Sequence, residues 1–243
     1  MANSNPSFIL QEMEIVLGIP KQDPTFFNLD FLTYTGIVPD TWDVAGDPQR
    51  SQQVAQIGFQ NDVSLVAEPQ QTVFTEILGD KGMDDIEIPN VALRFVDIMK
   101  NVSFTGLNLT FRGYVAFPNS PMAAHDYFFK NLLTPGAWQG VGTAPIRAGL
   151  DLVYTFDDRK MNFTVQEAAI RRLDDSTVAA LFFNGAFESN YATKSSASAA
   201  DVRQGIERWQ GDLKQFIDVV SRFFRSANQS GAPAPTPTTI PLN

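Results

Sequence analysis

The side chain in this sequence that is best suited to acid–base chemistry is His125, because imidazole exchanges a proton near neutral pH. It lies on a predicted helix, within the segment Ala124–Tyr127. Neighbouring residues of a helix point about 100° apart, so Asp126 is badly placed to orient the ring. The sequence also lacks a Gly-x-Ser-x-Gly turn that would present a serine to this base. We therefore interpret His125 as a surface or half-buried helix residue.

Three pairs of adjacent aspartates are the other groups that could share a proton or bind a metal ion. The pairs are Asp84/Asp85, Asp157/Asp158 and Asp174/Asp175. Each pair lies in a predicted turn, where the backbone alone favours aspartate. The calcium-loop pattern Asp-x-Asp-x-Asp-Gly does not occur. We predict that the pairs form turns and that the protein has no metal site.

The glycines at 136, 140 and 142 surround Trp138 and could be taken for a phosphate-binding loop. Such loops follow a strand, and the Walker type ends in Gly-Lys-Ser or Gly-Lys-Thr. These glycines instead precede a predicted strand, and no such lysine follows them. We predict a connection between a helix and a strand, and no cofactor.

The available residue types narrow the chemistry further. The chain has no cysteine and one histidine. This composition excludes disulfides, thiolate nucleophiles, zinc–thiolate sites and multi-histidine metal sites within one chain. We name no catalytic residue and favour a protein that is not an enzyme. Catalysis by Asp, Glu, Tyr, Arg or Ser side chains that only the fold brings together stays open.

The overall composition is that of an acidic globular protein. Of the 243 residues 44% are hydrophobic and 19% charged, and the net charge is −9. Negative charge repels phosphate backbones and acidic lipid headgroups, so we predict no nucleic-acid partner and no membrane partner. The sequence begins without the basic and apolar run of a signal peptide, and no segment has the about 20 apolar residues that span a bilayer. We expect a soluble, cytoplasmic protein.

The periodicity of hydrophobic residues predicts the secondary structure. Alternation indicates strands at about 8–17, 29–38 and 103–117, two or three short strands within 53–78, a hairpin at 146–171 and a strand at 178–188. Helical spacing indicates short helices from Pro89 and over about 120–133, and a long amphipathic helix over about 199–225 that begins with a Ser198/Asp201 capping box. Similar four-residue segments begin at Asn28, Asn108 and Leu150. They are a weak sign of a repeat, because alternating strands look alike.

These elements predict an α+β fold. The expected architecture is a largely antiparallel sheet of about seven to nine strands, with two short helices and the long C-terminal helix packed on one face. We expect a single domain over residues 1–225, with possible subdomains at about 1–118 and 119–225. The tail 226–243 is rich in proline, and we expect it to be disordered.

Phenylalanine is unusually common, with 20 copies. This abundance indicates either a well-filled core or an aromatic cavity, and close packing makes the core the default. A cavity between the last helix and the sheet would be lined by Tyr154, Phe156, Phe163, Phe182, Trp209 and Phe216.

Two classes of function follow. The favoured class is a non-catalytic interaction or assembly protein, which binds an unknown protein partner or a second copy of itself. The apolar seam of the last helix or an exposed strand edge would recruit that partner. The alternative is a small apolar-ligand-binding protein, or an enzyme, that uses the Phe-lined pocket between the last helix and the sheet.

Overall fold

A single antiparallel sheet is the main element of the protein. The computed structural model describes residues 7–156, 159–172, 174–190 and 197–225, and in them nine strands form this sheet, which confirms the predicted α+β fold. The strands are β1 (Phe8–Gly18), β2 (Gln49–Arg50), β3 (Ala55–Gly58), β4 (Val63–Glu68), β5 (Gln71–Ile77), β6 (Gly106–Phe117), β7 (Gly149–Thr155), β8 (Lys160–Arg171) and β9 (Thr177–Asn190). The helices are α1 (Leu29–Tyr34), α2 (Ile88–Ile98), α3 (Ala123–Tyr127), α4 (Ala199–Glu207) and α5 (Trp209–Phe223), and a π-helical turn (Phe128–Leu132) follows α3.

Some of the predictions are not tested by these residues. The tail 226–243 and the turn residues Asp157 and Asp158 lie outside the described part of the chain. The extent of the domain and its division near residue 118 stay predictions, as does the cytoplasmic location. Within the described ranges, no helix is both long and apolar enough to cross a membrane.

The strand order divides the chain into two halves of similar connectivity. The order is β2-β3-β4-β5-β1-β6-β9-β8-β7. Each half begins with a central strand, β1 or β6, passes through a short helix, and returns its last strand, β5 or β9, to the side of the first. A helical segment then closes each half. The repeat therefore lies in the topology, whereas the similar segments at Asn28, Asn108 and Leu150 fall at α1, β6 and β7 and do not mark its units.

The two halves join through the antiparallel pairing of β1 with β6. Met13 lies opposite Phe111, and both side chains are fully buried. Glu12 lies opposite Arg112, and both are half-buried. Because side chains alternate along a strand, this register gives the centre of the sheet one apolar face and one polar face.

Helices α2 and α5 bring phenylalanine rings onto the apolar face. The ring centroid of Phe95 on α2 lies 5.4 Å from that of Phe74 on β5, and Phe216 on α5 lies 6.0 Å from Phe111. Such aromatic pairs add about 0.5–1.5 kcal/mol beyond the area that they bury. These contacts account for much of the unusual phenylalanine content. Packing of the C-terminal helix on one face along its whole length stays a prediction.

One predicted strand is wrong. The segment 29–38 contains helix α1, because the side-chain oxygen of Asn28 accepts a hydrogen bond from the backbone N–H of Phe31 at 2.9 Å. This N-cap satisfies one of the donors that the start of a helix leaves free. Asp30 adds a favourable negative charge in the first turn. Asn28 is therefore the sequence signal that the alternation of apolar residues obscured.

The last helix is divided, whereas its pattern predicts one continuous helix over 199–225. Arg208 separates α4 from α5, and its ψ of −3° departs from the helical value of about −42°. Gly205 and Gly211 flank this position, and glycine is a weak helix former. Helix α4 contacts α2 and β6, and α5 contacts β6 and β9. The break thus lets the two segments meet different neighbours.

A buried carboxylate fixes the start of α2. Glu76 on β5 is fully buried, and its Oε2 accepts hydrogen bonds from the backbone N–H groups of Glu87 and Ile88 at 2.8 and 2.9 Å. The ammonium group of Lys81 lies 2.9 Å from Oε1. A negative charge is favoured at a helix N-terminus, and the paired ammonium offsets the cost of burying it.

Gly185 on β9 provides a test of the aromatic core. A Cβ on Gly185 would lie 2.5 Å from Cδ2 of Phe216, whereas a Cβ on Gly211 would meet nothing within 4 Å. We expect Gly185→Ala to lower the free energy of unfolding by about 1–3 kcal/mol, as in other overpacked cores. The matched variant Gly211→Ala should raise it by about 0.5–1 kcal/mol, because alanine favours helix. Chemical denaturation measures both, and effects of the same sign would contradict the contact of Phe216 with β9.

Candidate functional site

Three of the six residues predicted to line a pocket lie together. Phe163 on β8 and Phe216 on α5 are fully buried, with ring centroids 6.0 Å apart. The half-buried ring of Tyr154 on β7 lies 5.7 Å from that of Phe163. Aromatic rings at such distances are in contact. These three side chains therefore pack against one another rather than around a space.

The other three predicted residues have different neighbours. Phe156 stacks on Phe187 with centroids 6.1 Å apart. Phe182 points to the opposite face of the sheet from its buried neighbour Phe183, because side chains alternate along β9. Trp209 begins α5 and is half-buried. A ligand pocket formed by all six residues stays a prediction.

A groove of about 600 Å³ lies where the end of α5 meets β7. Tyr127, Tyr154, Phe223, Arg222 and Arg225 contribute to its lining. The Tyr127 hydroxyl donates a hydrogen bond to the backbone carbonyl of Phe223 at 2.7 Å. Burial raises the pKa of Tyr127 and of Tyr154, because the charged phenolate loses hydration. Tyr154 thus connects the predicted pocket with a groove between the last helix and the sheet.

The apolar seam of the last helix, one of the two surfaces predicted to recruit a partner, is turned inward. Leu213, Phe216 and Val220 are buried. Asp212 in the first turn of α5 is also buried, and its Oδ1 lies 2.6 Å from Nη1 of Arg159. Since the fold itself uses this seam, the strand edges remain as the candidate surfaces.

Strand β7 lies at one edge of the sheet. It pairs with β8, and no strand of the described residues pairs with its other side. The N–H of Phe156 donates to the carbonyl of Arg159 at 2.8 Å, which makes these two a hydrogen-bonded pair. Hydrogen-bonded pairs alternate with non-bonded pairs along an antiparallel ladder. The backbone N–H and C=O groups of Asp151, Val153 and Thr155 therefore point away from β8.

The β7 edge lacks most of the features that protect edge strands from pairing. Protected edges are very short, carry lysine or proline, or contain a bulge. Strand β7 has seven residues, an unbroken register with β8 and neither lysine nor proline. Its Val153 side chain is 63% exposed. Strand β2 at the opposite edge has two residues and offers far fewer backbone groups.

His125 on α3 is paired with a carboxylate that sequence reasoning missed. Its Nδ1 lies 3.2 and 3.1 Å from the two carboxylate oxygens of Glu167 on β8. The two residues are 42 positions apart, so no local pattern linked them. Asp126, the neighbour weighed in the sequence, instead forms an ion pair with Lys130 at 3.3 Å. The sequence predicts a surface or half-buried helix residue, and in the structure His125 lies on α3 and is half-buried.

Of the remaining sequence candidates, Asp84 and Asp85 lie in a short 3-10 helix (Met83–Asp85) rather than a simple turn, and Asp174 and Asp175 lie in the predicted turn. Oδ2 of Asp85 accepts a hydrogen bond from the N–H of Gly82 at 3.1 Å. Oδ1 of Asp174 accepts from the hydroxyl and the N–H of Ser176 at 2.6 and 3.0 Å, and these bonds lower the pKa of Asp174. The three glycines of the supposed phosphate loop lie between the π-helical turn and β7. Within the described ranges, no three metal-binding side chains form a group.

A charged cluster lies at the centre of the polar face of the sheet, which we call the outer face; the apolar face is the inner face. Arg112 on β6 forms ion pairs with Glu12 and Glu14 of β1, the second at 3.1 Å, and its Nε donates to Asn184 of β9 at 3.1 Å. Burial by itself would lower the pKa of Arg112, but the two carboxylates outweigh burial and raise it. Because every charge has a partner, we interpret the cluster as a clamp across β1, β6 and β9.

Comparisons with known proteins leave the site to be interpreted from its geometry. No model of a known protein family matches the chain, and no curated protein matches it.

Three tyrosines whose hydroxyls lose hydration in the fold give a pH-dependent test, and two of them, Tyr127 and Tyr154, line the groove. Burial raises the pKa of Tyr114, Tyr127 and Tyr154. Tyrosines of the unfolded chain ionise near pH 10, so above that pH the folded state binds more protons than the unfolded state. The stabilisation from these groups is therefore complete below about pH 10 and is lost as the pH rises through the higher folded pKa values.

Ultraviolet titration of the phenolates measures this effect. We expect part of the phenolate absorbance of the folded protein to appear at higher pH than in the same protein in urea. Tyr127→Phe should reduce this delayed part, and it should also lower the free energy of unfolding by about 1 kcal/mol through loss of the hydrogen bond to Phe223. A delayed part that is unchanged in Tyr127→Phe would contradict the burial of this hydroxyl.

Proposed function

We propose that this protein is a non-catalytic assembly protein that pairs with a second copy of itself through β7. The observation that carries the proposal is the regular seven-residue edge, paired on one side only within the described chain. Unpaired backbone donors and acceptors at a sheet edge are a template for another strand. The other surface that the sequence suggested is the apolar seam of the last helix, and the seam residues of α5 are buried.

A second copy suits this edge because antiparallel pairing of two identical strands has two-fold symmetry, and each strand then supplies the complement of the other. A register centred on Leu152 pairs all seven residues of both strands. It places Asp151 of one copy opposite Val153 of the other, so that the two aspartates do not face each other. On the inner face it brings Leu152 against its own copy and Leu150 against Tyr154.

The charge of the protein sets the conditions for this assembly. Each copy carries a net charge of −9, so two copies repel each other. Salt screens such repulsion over about 10 Å at 0.1 M. We therefore expect the pairing to strengthen as the salt concentration rises. An assembly held by ion pairs between copies would instead weaken.

Substitution of Val153 tests the assembly. Its N–H points away from β8, so Val153→Pro removes an outward donor without removing a hydrogen bond of the β7–β8 ladder. We expect the wild-type chain to form dimers at micromolar concentrations and Val153→Pro to stay monomeric, as measured by light scattering after size exclusion. The control Val153→Thr keeps the N–H and the β-branched shape and should dimerise like the wild type. A wild-type chain that is monomeric at every concentration and salt level would overturn the proposal.

A second candidate function is binding of a small apolar ligand between the last helix and the sheet. The groove of about 600 Å³ beside Tyr154 and Phe223 favours it, because its size is within the range of ligand sites. Tyr154 belongs to the predicted pocket, whereas Phe163 and Phe216 lie in the packed core.

Thermal unfolding with a panel of apolar aromatic compounds tests this candidate. A ligand that binds only the folded state stabilises it by about 2.7 kcal/mol at a hundredfold excess over its Kd, and thus raises the Tm. Tyr154→Leu should reduce the rise, and Val153→Thr, on the same strand but facing the other way, should leave it unchanged. A panel that gives no rise in the Tm would remove this candidate.

A further inference from the structure

The half-buried pair of His125 and Glu167 lies outside the proposed assembly edge. The side chains are 18% and 13% exposed, and both line a cavity of about 290 Å³. Removing an imidazole and a carboxylate from water has a free-energy cost that the pair must offset. Polar groups that are half-buried and line a cavity are candidates for ligand binding.

Glu167 fixes the protonation pattern of the neutral imidazole ring. One nitrogen of a neutral imidazole donates a hydrogen bond and the other accepts one. Because Nδ1 lies 3.1 Å from a carboxylate oxygen, Nδ1 carries the proton and donates. The lone pair then lies on Nε2, which makes no hydrogen bond with any described residue. In its neutral form, the His125 ring is therefore left with one acceptor that no described residue uses.

The position of the ring is also fixed by the chain that follows it. The ring centroid of Phe129 lies 4.4 Å from that of His125, with 37° between the planes. Phe129 belongs to the π-helical turn after α3, and such turns often occur at functional sites. A carboxylate and an aromatic ring together hold the imidazole in one orientation, so Nε2 needs no rearrangement to accept a hydrogen bond.

The lining of the cavity combines small apolar side chains, one cation and the carboxylate of Glu167, which accepts the hydrogen bond from Nδ1 of His125. Ala124, Pro145 and Ala179 contribute apolar surface, and Arg147 is the one arginine among the residues that line the cavity. Arg147 is exposed and forms no ion pair within the described part of the chain. A guanidinium binds a carboxylate through two parallel N–H donors. The two lining residues Arg147 and His125 thus provide a donor fork for an anion and an acceptor at Nε2.

From this geometry we propose that the cavity binds a small hydroxycarboxylate. Arg147 pairs with the carboxylate of the ligand, and Nε2 of His125 accepts a hydrogen bond from its hydroxyl. The alanine and proline side chains contact the short carbon skeleton between these two groups. Binding involves no covalent step, and it does not depend on assembly through β7.

Nuclear magnetic resonance of the imidazole tests the site directly, because the chain has one histidine and its signals need no assignment. The full chain, labelled with ¹⁵N at histidine, is titrated with glycolate and separately with acetate, which lacks the hydroxyl. We expect glycolate to shift the Nε2 signal in a saturable way. Acetate should bind about tenfold more weakly, because it leaves Nε2 without its hydrogen bond.

Two charge-matched variants separate specific binding from general attraction of an anion. Arg147→Gln should weaken glycolate binding about tenfold. Arg171→Gln, which removes an exposed cation paired with Asp175, should leave it within about twofold. Both positions are exposed, and the thermal midpoint of each variant shows that it is folded. No saturable shift with glycolate, equal binding of acetate, or equal losses in the two variants would each overturn the proposal.

Discussion

The antiparallel pairing of β1 with β6 is the constraint on which the rest of the structure depends, because it joins two halves of similar topology. Met13 faces Phe111 on the inner side, and Glu12 faces Arg112 on the outer side. A slip of one residue would carry the charged side chains into the core and the apolar ones to the surface. Burial of an unpaired charge is costly. The buried apolar residues on one face and the paired charges on the other face therefore stabilise the same register.

The aromatic layer under the sheet depends on that register and on glycines that make room for the rings. A Cβ on Gly113 would lie 2.3 Å from the ring of Phe8, and one on Gly185 would lie 2.5 Å from the ring of Phe216. Large side chains fill the apolar face of the sheet, and the glycines, which have no side chain, leave room for the rings. This arrangement uses the seam of α5 inside the molecule, which is why the proposed partner surface is a strand edge rather than a helix.

The two features proposed to bind other molecules lie at the same end of the sheet. Arg147, at the cavity, precedes the first residue of β7 by two positions. The cavity also reaches β8 through Glu167, and β8 is the strand that pairs with β7. Among the described residues, the β7 end of the sheet therefore has both an edge that pairs on one side only and an imidazole whose Nε2 makes no hydrogen bond. The centre of the outer face, in contrast, has each of its charges matched by a neighbour.

The sequence by itself determined the fold class, the antiparallel hairpin of β7 and β8 and the Ser198/Asp201 capping box at α4, which the structure contains. These features depend on periodicity and capping, which act between residues close in the chain. The tertiary structure alone decided the strand order, the edge position of β7 and the pairing of His125 with Glu167. Periodicity shows that a face is buried but not which face covers it, since contacts between distant segments leave no local pattern. The wrong strand at 29–38 has a different cause, because there one local signal, the cap at Asn28, outweighed another, the alternation of apolar residues.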